Sequence, residues 1–129
     1  MNTARYIRRN NLIRQLFLSL KNKYAKNLPI ELEIFDSGLP CNLCFHGDTE
    51  IIKIDYTQIK RRVKEGYSND YYLFRSQKLN PIIKNNKHNA IRFILLHELK
   101  HAIDYQVYKI KQAEVRADNF AIKKLKEVK

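Results

Sequence analysis

Phe93-Ile94-Leu95-Leu96-His97-Glu98-Leu99-Lys100-His101-Ala102-Ile103-Asp104 is the stretch on which the fold turns. Its apolar residues leave almost no polar face, the pattern of a helix packed on most sides rather than lying on a surface. The pattern extends over 88–108 and predicts a central helix. A break around Lys109–Lys111 precedes a second helical pattern, 112–127, with Ala113, Ala117, Ala121 and Leu125 along one stripe. Small residues on a stripe let two helix backbones approach closely.

Within the central helix, His97 and His101 stand at i and i+4. Their side chains therefore leave the same face about 6 Å apart. Two imidazole nitrogens so placed suit one tetrahedral zinc ion, and Glu98 lies at the side of the pair, where a carboxylate can accept a proton from a zinc-activated water. The plain alternative is a buried helix whose two histidines are only hydrogen-bonded. A catalytic zinc needs a third protein ligand, and Asp104, Glu114, Asp118 and Glu127 follow the motif. Asp104 shares the helix and does not easily wrap around the ion. If the last two helices form an antiparallel hairpin turning near Lys109, residues at equal height face each other: His101 meets Glu114 and His97 meets Asp118. This geometry selects Glu114 as ligand and Asp118 as acceptor of the free ring N–H of His97, the carboxylate that metal-bound histidine usually has. Taken alone, the two acids would read as a solvated helix face.

Upstream, residues 3–26 form a helical pattern closed by Asn27-Leu28-Pro29. Ile30-Glu31-Leu32-Glu33-Ile34-Phe35 alternates as a half-buried strand does, and Glu50–Tyr56 predicts a second strand. Residues between them, with Cys41, Cys44, His46 and Gly47, read as a loop. Residues 57–65 predict a short helix, and 67–87 carry no assignment. The expected fold class is α+β: an N-terminal helix, a small β-sheet and two C-terminal helices in a metal-binding hairpin, all in one domain over 1–129.

Composition narrows the function classes. The chain has 129 residues, a hydrophobic fraction of 44% and a formal charge of +12 from 25 Lys and Arg against 13 Asp and Glu. The longest apolar run, Phe93–Leu96, is far shorter than a membrane span. Two cysteines and no secretory apolar segment argue against a disulfide-stapled scaffold and for a cytoplasmic location. The acid-free first thirty residues have the composition of an organellar transit peptide, but Ile7, Leu12, Ile13, Leu16, Phe17 and Leu20 recur at helical spacing, so a structural helix is the preferred reading. The charge is spread along the chain with no long basic block, and charge alone does not single out nucleic acid as partner. Cys41-x-x-Cys44 has no second pair to complete a zinc ribbon and reads as loop thiols.

His97-Glu98-Leu99-Lys100-His101 followed by Glu114-Val115-Arg116-Ala117-Asp118-Asn119-Phe120-Ala121 resembles the gluzincin pattern of zinc metallopeptidases, H-E-x-x-H plus E-x-x-x-D. The second segment is similar to that of ImmA/IrrE-type peptidases. His97–Asp104 with Ala113–Ala117 is similar in wording to the mitochondrial inner-membrane peptidase that processes an ATP-synthase subunit. The resemblance covers about the last forty residues. It implies a zinc-dependent endopeptidase acting on a protein or peptide, with His97, His101 and Glu114 as ligands of Zn2+ and Glu98 as general base. Lys100 stands where those relatives usually carry Gly or an apolar residue, and the twelve-residue gap between His101 and Glu114 is short for them. Tyr105, one turn beyond His101, is the first candidate for an oxyanion donor, with Tyr71, Tyr72 and His88 behind it. The strand Glu50–Tyr56 is the expected edge for an extended peptide, with Lys53 as the charge that often protects such an edge. The rival reading is a non-catalytic basic module on the same fold, docking nucleic acid or a protein.

Overall fold

The computed structural model describes residues 3–35, 42–46, 49–65, 80–110 and 114–127. The elements in chain order are α1 (Thr3–Tyr24), β1 (Ile30–Phe35), β2 (Asn42–His46), β3 (Thr49–Asp55), α2 (Tyr56–Glu65), α3 (Asn80–Ile83), α4 (Lys87–Tyr108) and α5 (Glu114–Glu127). The chain is thus mixed helix and strand, and mostly helical. No helix among the described residues is long and apolar enough to cross a membrane.

Local chemistry sets several boundaries. Asp55 ends β3 and its Oδ1 accepts the N–H of Thr57 at 2.9 Å, so the buried carboxylate caps α2 as it starts. Asn86 does the same for α4 through the N–H of Asn89 at 3.0 Å. Lys109 closes α4 in the left-handed region, at φ 59°. That conformation is costly for a side chain with a Cβ, and Gly is the usual residue there.

The sheet has three strands in the order β1-β3-β2, with β1 parallel and β2 antiparallel to β3. This corrects two expectations. The segment around Cys44 is not all loop: Asn42-Leu43-Cys44-Phe45-His46 forms a strand whose apolar run, Leu43–Phe45, is only three residues long, a signal hidden by the turn residues on both sides. In consequence β3 is the middle strand, paired on both edges, and cannot be the free edge expected of Glu50–Tyr56. Lys53, partnered by Glu33 on one side and Asn42 on the other, protects no edge. Cys41, Tyr71 and Tyr72 lie outside the described residues, and Cys44 and His46 are placed only by the backbone of β2.

The core is one apolar cluster centred on α4. Phe93, Ile94, Leu95, Leu96 and Leu99 are fully buried in it, with Ile52 and Ile54 from the sheet, Ile13, Phe17 and Leu20 from α1, and Ala121 and Leu125 from α5. A helix enclosed on this many sides cannot show a clear amphipathic stripe, which explains its nearly continuous apolar sequence. Helix α1 packs on α4 and β1, where Arg14 Nη1 donates to the Leu32 carbonyl at 3.3 Å. Helix α5 returns along α4, with Ala117 and Ala121 fully buried between the two.

Candidate metal centre

The α4–α5 contact brings three donor groups to one point. Nε2 of His97 lies 3.1 Å from Nε2 of His101. Glu114 spans both rings, with Oε2 at 3.2 Å from His97 Nε2 and Oε1 at 2.8 Å from His101 Nε2. Among the described residues this is the cluster of His, Cys, Asp and Glu able to hold a metal ion. The spacing fits a small tetrahedral ion: bonds of about 2.0–2.1 Å place neighbouring ligand atoms about 3.3 Å apart. Two imidazoles and a carboxylate are also the donor chemistry zinc takes in catalytic sites, with a fourth position left open.

Asp118 sits one turn beyond Glu114, and its Oδ1 is 2.8 Å from Nδ1 of His97. That contact fixes the ring so that Nε2 faces the cluster. Phe93 packs against the same ring at 5.7 Å between centroids, and His97 meets His101 edge to face at 4.6 Å. Glu98 points beside the cluster, with Oε1 3.9 Å from His97 Nε2, and only 2% of it is exposed.

The electrostatics follow from burial and from these neighbours. Burial raises the Glu98 carboxyl from 4.5 to about 7, with His97 opposing the rise and Glu114 and Glu50 adding to it. Burial opposes the charged ring of His97, but the carboxylates of Asp118 and Glu114 outweigh it and hold the ring at about 9. His101 moves downward instead, through burial and then through repulsion from His97. Three acids around one histidine pair make a site that favours a cation at its centre.

Tyr105 stands one turn beyond His101 on α4 and is 37% exposed. His88 is exposed in the first turn of α4, nine residues before His97, about 13 Å along the helix axis and too distant to join the site. Glu127 is at the far end of α5, where it pairs with Lys124 at 3.4 Å.

Two acids have partners that the sequence expectations did not include. Glu50 is fully buried on β3, and its Oε1 accepts from Gln106 Nε2 of α4 at 2.6 Å. Burial raises its carboxyl above the ordinary value, partly offset by that bond. The signal was present: Glu50, Ile52 and Ile54 share one face of the strand, so the acid occupies a core position. The other is Asp104, rejected as a ligand, which is 1% exposed and pairs with Lys100 at 3.1 Å and Arg116 at 2.9 Å.

Comparison with protein-family models, curated proteins and solved structures gave no match for the chain.

Proposed function

We propose that this chain is a zinc-dependent endopeptidase of gluzincin type. The observation that carries the reading is the convergence of His97 Nε2, His101 Nε2 and both Glu114 oxygens within 2.8–3.2 Å, with a buried carboxylate beside them that is not one of the three. A zinc ion held by these residues would supply an acidified water and a Lewis acid for the scissile carbonyl.

Glu98 accepts the proton of the attacking water at Oε1 and delivers it to the leaving amine. Burial raises this carboxyl in the metal-free chain, and a bound zinc ion would draw it back toward the ionised form that a base needs. Asp118 keeps the His97 ring oriented, and Glu114, arriving from a different helix, closes the cluster from the side opposite the two histidines. Among the described residues, Arg14 of α1 already takes the Leu32 carbonyl of β1, so with β3 interior an extended substrate pairs with the outer edge of β2. The surrounding +12 charge favours peptides with acidic flanks.

Glu98→Gln separates catalysis from scaffolding, since it removes the base and leaves all three donors. The purified protein and this variant should each hold one zinc by elemental analysis. Only the unsubstituted protein should cleave an unstructured acidic peptide, with the variant at least a hundredfold slower. Equal cleavage by both would remove the peptidase reading.

A further inference from the structure

Asp104 holds three separate parts of the hairpin. Its carbonyl oxygen accepts the N–H of Lys109 and of Ile110, the latter at 2.9 Å, and so ends α4 and turns the chain. Its carboxylate meets Lys100 Nζ at 3.1 Å, on the residue before His101, and Arg116 Nε at 2.9 Å, two residues after Glu114. The pair with Arg116 crosses from one metal helix to the other. Aromatic rings flank the two cations: Tyr108 lies 5.8 Å from Lys100 and 5.9 Å from Arg116, and Phe120 lies 5.3 Å from Lys100. A carboxylate this deeply buried is stable only while its cations remain in place, so the pairing specifies one register.

We propose that Asp104, through Arg116, is the positioning residue that sets the height of Glu114 over His97 and His101. The inference rests on the metal-centre reading and explains why Lys100 occupies a place within the motif where an apolar residue would pack more simply. A slip of α5 by one residue rotates its side chains by about 100° and carries Glu114 off the histidines. Ala117 and Ala121 are small and bring no polar contact to resist such a slip, whereas the hydrogen bond from Arg116 Nε to Asp104 is directional.

The test uses Asp104→Asn, which keeps size and the main-chain carbonyl but removes the charge, and Arg116→Gln. Both should weaken zinc affinity by roughly tenfold and shift the His97 and His101 imidazole signals in the NMR spectrum of metal-free protein, with far-UV dichroism unchanged. Arg116→Lys, which keeps the charge but loses the directional guanidinium, should recover only part of the affinity. Lower melting temperatures with unaltered zinc affinity and unaltered imidazole signals would overturn the proposal. If Asp104→Asn does not fold, Arg116→Gln decides, because its side chain is about half exposed and its loss leaves Asp104 paired with Lys100. If the unsubstituted protein takes up no zinc, the metal reading fails, and the imidazole signals of Arg116→Gln, which leaves the Asp104 charge acting on His101, still decide whether the pair sets the register.

Discussion

At the scale of single residues, the site works by dividing four acids among different tasks. Glu114 meets both histidines, Asp118 meets the far nitrogen of one, Glu98 stands beside them, and Asp104 faces away into two cations. What separates the four is position on two helices, not chemistry, since all are carboxylates. Asp118→Ala tests one of these assignments. Losing the group that holds His97 Nδ1 should weaken zinc affinity by about ten- to a hundredfold while leaving one zinc per chain at saturating metal. Competition with a chromogenic chelator measures it, and an unchanged affinity would reduce Asp118 to a spectator.

At the scale of elements, the α4–α5 hairpin is the device that makes a site from a motif. The i, i+4 histidines need only a helix, but the carboxylate must arrive from a second helix at the right height and distance. Ala117, fully buried and between Glu114 and Asp118 in sequence, is the residue expected to limit that distance. Ala117→Leu should cost about 1–3 kcal/mol of stability through overpacking. By spreading the helices it should also weaken zinc binding. Ala121→Leu, one turn further from the histidines, should cost similar stability with a smaller loss of affinity. Thermal melts and metal titration of the two variants check the pair, and equal losses of affinity would mean that Ala117 does not set the separation.

At the scale of the whole molecule, the metal-free fold carries an electrostatic load that depends on pH. A histidine raised in the folded state contributes stability fully below its unfolded value, and loses it as pH climbs through the folded one. For His97 that window runs from 6.5 to about 9. The raised Glu98 carboxyl contributes below 4.5 and loses its share as pH rises through about 7, in the same direction. His101 is lowered, so its contribution is already complete above 6.5 and does not offset the others there. Metal-free protein should therefore melt at lower temperature at pH 9 than at pH 6.5. Zinc affinity should rise across that interval with release of protons, because the ligand must be the neutral ring. Melting curves of metal-free protein and calorimetry in buffers of different ionisation enthalpy measure both. A metal-free fold that gains stability from pH 6.5 to 9 would contradict the electrostatic account.

The sequence by itself determined the local part of this protein. Helical periodicity located α1, α4 and α5, alternation located β1 and most of β3, and the four-residue spacing of His97 and His101 put both rings on one face, because each of these depends on the backbone period alone. The hairpin pairing of His101 with Glu114 and His97 with Asp118 was also within reach, since two helices joined by a short turn fix which residues stand level. Tertiary structure alone decided the rest. An apolar run of three residues cannot announce a strand until a partner supplies the ladder, so β2 and with it the interior place of β3 were hidden. The burial of Glu50 under Gln106 and the closure of Asp104 onto Arg116 depend on partners 56 and 12 residues away. No local period encodes such contacts; they exist only once α4 has been enclosed by the sheet on one side and α5 on the other.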